Sequence, residues 1–173
     1  MLFRSIATMD YIIDTVYRTN ILPVISACNT SCVFCSHKQN PENVEVYRLD
    51  KLDLVDFEEI IEFLSPERKI IIGESATRII EGEPLLYKNF IDIVEMVRRK
   101  HKNTQIQITT NGILLDEKLI KRLSELKKIE LNVSVNCIGD QKRMKILGLK
   151  KADNIKEKLA LLDRKSTRLN SSH

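Results

Sequence analysis

Four apolar, β-branched stretches alternate with four helix-patterned stretches along this chain, and that alternation constrains the fold more than any other feature. The candidate strands lie at 21–27, 69–73, 105–111 and 130–136. The segments after them carry apolar residues at helical spacing: Phe57, Ile60, Ile61 and Leu64 in 53–64; Phe90, Ile93, Val94 and Val97 in 87–100. Leu119, Leu123 and Leu126 in 116–126, and Ile155, Leu159 and Leu162 in 153–162, repeat the pattern. Asp53 and Asp116 stand where helix N-caps belong. Strand–helix repetition of this kind predicts a parallel sheet with right-handed crossovers. Pro23 argues against an interior position for the end of the first strand. Residues 6–19 read as a helix or an extended lead-in.

The third and fourth strands alternate polar and apolar residues. Gln105, Gln107, Thr109 and Asn111 share one face, and Ile106, Ile108 and Thr110 the other. Glu130, Asn132, Ser134 and Asn136 oppose Leu131, Val133 and Val135. Crossover helices cover the apolar faces, so the polar faces are expected to line an interior chamber rather than solvent. An ordinary eight-stranded barrel fills its centre with branched side chains. A polar interior therefore predicts a polar ligand at the carboxyl ends of the strands.

A cysteine-rich loop follows the first strand. Cys28, Cys32 and Cys35 are spaced C-x3-C-x2-C. Three clustered thiols suit a metal centre, whereas a closed structural zinc or electron-transfer cluster takes four protein ligands. A non-catalytic metal-binding module, with zinc or an electron-transfer iron–sulfur cluster on the same residues, remains the alternative. Cys137 reads as a small apolar core residue. The polar loop to about residue 51 is long for an idle connection. His37 within it reads as a solvated loop histidine. The basic stretch Lys142, Arg143, Lys145, Lys150 and Lys151 reads as a solvated loop.

C-x3-C-x2-C with Phe34 just before the last cysteine resembles the signature of the radical S-adenosylmethionine (SAM) superfamily. The resemblance implies an α/β fold, a partial (β/α)6 barrel truncated here after about four βα units. It implies that Cys28, Cys32 and Cys35 hold a [4Fe-4S] cluster whose fourth iron binds SAM. Reductive cleavage of SAM to a 5′-deoxyadenosyl radical, and hydrogen abstraction from a substrate, would follow. The run 81–86 resembles the family's G-G-E-P motif through Gly82, Glu83 and Pro84, with Glu81 in place of the first glycine. Glu74, directly after the second strand, competes with Glu83 for the motif role, and residues 75–80 read as a possible insertion. Thr109-Thr110-Asn111-Gly112 is similar to a segment of the molybdenum-cofactor GTP-cyclase type of member. Thr109, Asn111, Ser134 and Asn136 are the implied SAM-side residues. The implied partners are an electron donor such as flavodoxin or ferredoxin and a small-molecule or peptide substrate.

Both termini resemble translated sequencing-adapter DNA. Residues 1–5 and 163–173 are expected to be foreign, leaving 6–162 as the N-terminal part of a radical SAM domain; codons incompatible with adapter DNA would end that reading. The formal charge is +4. Arg164, Lys165 and Arg168 against Asp163 supply two of those charges and Arg4 a third, so the basic balance argues little for nucleic acid. No apolar run approaches the ~18 residues of a membrane span. Clustered reduced thiols point to the cytoplasm. A last strand left at an open edge predicts self-association.

Overall fold

The computed structural model describes residues 5–39, 44–76 and 78–165. In chain order it contains β1 (Ser5–Ile6), α1 (Met9–Thr19), β2 (Ile21–Leu22), α2 (Ser36–Gln39), β3 (Tyr47–Arg48), α3 (Leu54–Ile61), β4 (Ile70–Ile72) and β5 (Ile79–Ile80). A 3-10 turn (Pro84–Leu86) then leads into α4 (Phe90–Lys100), β6 (Ile106–Thr110), α5 (Glu117–Glu125), β7 (Ile129–Val133), α6 (Asp140–Leu147) and α7 (Ile155–Lys165).

The central sheet is four-stranded and wholly parallel, in the order β2-β4-β6-β7. Its register sets Ile21 beside Ile71, Ile71 beside Gln107, and Gln107 beside Glu130. Ile106, Ile108, Leu131 and Val133 turn into the helix-covered core with Phe57, Ile60, Ile93, Val94 and Val97. The caps act as the sequence predicts. Asp53 accepts from the amides of Val55 and Asp56, while Asp56 answers to the Asp53 amide. Asp116 caps α5 through the Leu119 amide. Asn20 closes α1 in the left-handed conformation (φ 59°), and its buried amide bonds Ser65, Arg68 and Lys69, fastening α1 to the chain entering β4.

Several elements differ from expectation. The strand at 21–27 stops at Leu22, because Pro23 offers no amide to the ladder. Beyond it, Val24 to Ala27 remain beside Glu81 to Glu83. Gly82 N–H donates to Ile25 O (2.6 Å) and Glu83 N–H to Ala27 O (2.9 Å). The loop up to residue 51 and the segment 75–80 supply β3 and β5 to a second parallel sheet in the order β1-β3-β5, so Ser5, expected to be foreign, lies in its first strand. Two-residue strands are too short to show an alternation. The basic stretch is only in part a solvated loop: Lys150 and Lys151 are exposed beyond the helix, Lys142 and Lys145 are exposed on α6, and Arg143 on the same helix is fully buried. The helix escapes sequence pattern because its buried residues are Arg143 and Leu147, one of them charged. Cys137 is not a core residue; it lies past the end of β7, partly exposed. Helix α7 runs on to Lys165, past the 162 boundary. The proposed foreign residues 1–4 and 166–173 lie outside the described residues. Among the described residues, no helix is long and apolar enough to cross a membrane.

Candidate functional site

The polar faces of the strands are paired with one another and with the ends of β4. Lys69 at the foot of β4 bonds Gln107 and approaches Glu130 at 3.8 Å. Glu74 accepts from Gln107 Nε2 (2.7 Å) and Thr109 Oγ1 (2.8 Å). Above this ladder, at the carboxyl ends of the strands, opens a cavity of about 470 Å³, within the usual range for a small-molecule site.

One wall is the cysteine loop. Cys28, Cys32 and Cys35 line the cavity with Thr30, Phe34 and His37. Thr30 Oγ1 lies 3.1 Å from Cys28 Sγ and 3.3 Å from Cys32 Sγ, so one hydroxyl ties two thiols together. All three thiols are free. Cys137 is not part of this lining; its thiol faces Gly139 O at 3.9 Å. His37 is not simply solvated: Nε2 lies 2.6 Å from Ser75 Oγ, in the segment before β5.

The second wall is Gly82 and Glu83, placed by their pairing with the chain that enters the cysteine loop. Only glycine fits at 82, since a Cβ there would stand 1.9 Å from Ala27 O. Glu83 is buried. It accepts from Thr110 Oγ1 (2.6 Å), the Asn111 amide (2.8 Å) and the Leu85 amide (3.2 Å). Three donors against about four lone-pair sites leave room for one more, such as an ammonium. Desolvation raises its carboxyl above the ordinary range, while those hydrogen bonds pull the other way. Pro84 opens the 3-10 turn behind this wall and is itself buried outside the cavity lining. Of the two competing glutamates, Glu83 lines the cavity and Glu74 serves the ladder beneath it.

The third wall holds Thr109, Asn111, Ser134 and Asn136. Asn111 crosses to the cysteine loop, where its Nδ2 donates to Asn29 Oδ1 (2.7 Å). Gly73 (φ 84°) allows β4 to end tightly against Thr109, whose carbonyl would lie 2.1 Å from any Cβ there.

Sequence reasoning passed over Ser26, Arg48 and Glu81, which also line the cavity. Ser26 donates to Ile80 O (2.5 Å) and accepts from the Leu49 amide, joining the second sheet to the cysteine loop's root. Glu81 is buried, and its carboxylate accepts from the Val24 and Ile25 amides at 3.0–3.3 Å. It thus takes over the donors that the ladder lost at Pro23. Burial lifts its carboxyl well above the ordinary range, opposed by those two amides and aided by Glu83. The signal that marks it in the sequence is its departure from glycine at that motif position.

Three thiols of the cysteine loop on one cavity wall fit an iron–sulfur cluster that leaves one position for a ligand, whereas a closed structural zinc site takes four protein ligands. In the same loop Asn29 Nδ2 is buried without an acceptor, a donor that a bound group would satisfy.

Comparison with known proteins identifies the family and the fold. The family model of the radical SAM superfamily matches residues 22–168. An uncharacterized protein of Methanocaldococcus jannaschii is 31% identical over 144 residues, covering 79% of this chain and 31% of that protein. GTP 3′,8-cyclase of Aquifex aeolicus is 32% identical over 120 residues (69% of this chain, 35% of the enzyme). That of Thermodesulfovibrio yellowstonii is 30% identical over 121 residues (70% and 35%). The chain thus spans about a third of the length of these curated relatives. Among solved structures, native anSMEcpe with bound AdoMet superposes with a TM-score of 0.55 at 21% identity, covering 87% of this chain and 42% of that one. The likeness shows a shared partial-barrel fold.

Proposed function

The chain belongs to the radical SAM superfamily, a family of enzymes that use a [4Fe-4S] cluster and SAM, and we propose that its cavity binds both. Cys28, Cys32 and Cys35 would hold three irons and leave the fourth for SAM. When bound, the cluster would supply the electron that breaks the S–C5′ bond of SAM, giving methionine and a 5′-deoxyadenosyl radical that abstracts hydrogen from substrate.

The chain's own residues bind, orient and shield. Glu83, with one acceptor site left, would receive the SAM ammonium, and Gly82 lets the backbone approach. Thr109, Asn111, Ser134 and Asn136 offer hydrogen-bonding groups along the rest of the ligand. Phe34, half-exposed at the cavity rim, would cover apolar surface of the bound group. Such a site contributes by positioning and by excluding water. The electron donor would be a flavodoxin or ferredoxin in the cytoplasm, and the substrate a small molecule or peptide. GTP is the substrate named for two of the relatives, which makes a nucleotide the first to test.

The observation that carries this reading is three free thiols lining one cavity together with Glu83, with Cys137 outside that lining. Anaerobic reconstitution with iron and sulfide tests it. About four irons per chain are expected, with a visible band bleached by dithionite and an electron-spin signal altered by SAM. Cys32→Ser should lose the iron and Cys137→Ser should keep it. A colourless zinc protein, or iron bound equally by both variants, would overturn the proposal.

A further inference from the structure

Arg143 is the largest fully buried side chain of the described residues, and it is not among the residues that line the cavity described above. Its Nε donates to both carboxylate oxygens of Asp153 (2.8 and 3.0 Å). Nη2 donates to Asn111 O (2.8 Å), and Nη1 to Val135 O and, at 3.5 Å, Ser134 O. The guanidinium therefore grips the carboxyl ends of β6 and β7 by their backbone, directly behind Asn111 and Ser134. Its planar fork makes these several contacts at once, which a lysine ammonium does not.

The helix that carries Arg143 also holds the cysteine loop. At the last turn of α6, Leu147 O accepts from Ser31 N–H (2.8 Å) and Ile146 O from Val33 N–H (2.9 Å). These two amides flank Cys32. The helix ends at Gly148 in the left-handed conformation (φ 65°), tight against Ser31. One short helix is thus fastened at its middle to one wall of the cavity and at its end to another.

We infer that Arg143, neutralised by Asp153, is a positioning residue that keeps the cysteine loop at a fixed separation from the Asn111–Ser134 wall. The consequence for SAM rests on the proposed function; the mechanical coupling does not. A ligand bridging the two walls needs both at the right spacing, and that spacing is set by a buried ion pair outside the site.

The test uses the full chain with Arg143→Met and Asp153→Leu together. Removing the arginine alone would strand a buried carboxylate, whereas replacing both by apolar groups is often near neutral for stability. In the metal-free protein, hydrogen exchange at Ser31 and Val33 is expected to quicken at least about tenfold while Ile106 and Ile108 keep their protection. In the reconstituted protein, iron content should hold while the SAM dissociation constant rises at least about tenfold, read from the SAM-induced change in the spin signal. Unchanged protection at Ser31 and Val33 overturns the inference, and lost protection with unchanged SAM affinity overturns its consequence for SAM.

Should Ile106 and Ile108 also lose protection, Gly148→Ala makes the same test from the other end of the helix. Its new Cβ would lie 2.8 Å from Ser31 Cβ, so it loosens the clasp without touching the ion pair. For that variant the same two outcomes overturn the inference and its consequence for SAM, respectively. A wild-type chain that takes up no iron defeats the proposed function and leaves the exchange result standing by itself.

Discussion

Replacing Gly82 by alanine tests how the two motifs are held together. The added Cβ would stand 1.9 Å from Ala27 O, 2.4 Å from Ala27 C and 2.9 Å from Ser26 C. All three are backbone atoms, so no side-chain rotation relieves the clash. Real Cβ contacts stay above 3.0 Å, and the gap from 1.9 to 3.0 Å requires the two segments to part by at least 1.1 Å. The Gly82–Ile25 and Glu83–Ala27 bonds, at 2.6 and 2.9 Å, would lengthen past the roughly 3.6 Å at which a hydrogen bond is lost. Two such losses, in part unsatisfied, cost about 2–5 kcal/mol. For a chain of this size that lowers Tm by about 5–15 °C. Because Ala27 adjoins Cys28, iron uptake should fall as well. Calorimetry on the metal-free chain and iron analysis after reconstitution measure both effects. Gly139→Ala is the control, since a Cβ there meets nothing within 4 Å, and it should change stability by no more than about 1 kcal/mol. A Gly82→Ala chain with wild-type Tm and iron content would refute the idea that this contact aligns the cysteine loop with Glu83.

Two other outcomes are expected. Glu81 holds its proton more tightly in the folded chain than in the unfolded one, chiefly through burial. Its contribution to stability is therefore fully present below the unfolded carboxyl value and is lost as pH rises through the raised folded value. Against Glu81→Gln, the wild type should lose relative stability from the ordinary carboxylate range upward; a wild-type advantage that grows with pH in urea titrations would contradict this. At the other side of the sheet, β7 pairs with β6 alone among the described strands. Its free edge should make the purified chain self-associate at micromolar concentration, an effect weakened by Asn132→Lys; a monomeric chain with a cooperative unfolding transition would count against it.

Much of this architecture is legible in local pattern. Apolar periodicity marks α3, α4 and α5, and Asp53 and Asp116 mark two of their starts, because caps and amphipathic faces depend on near neighbours in the chain. The cysteine spacing and the polar alternation at 105–111 identify two cavity walls for the same reason. Other features depend on partners remote in sequence. Glu81 reads as a motif defect until it is seen to satisfy Val24 and Ile25, 57 and 56 residues away. Arg143 reads as one cation in a basic run until Asp153 and three strand-end carbonyls surround it. A buried charge has no periodicity of its own, since its stability comes from partners that only the folded chain assembles. The sequence by itself determined which residues have the chemistry to bind a metal and a ligand. Tertiary structure alone decided how far apart those residues stand, because that distance is set by a helix, a glycine contact and an ion pair joining segments far apart in the chain.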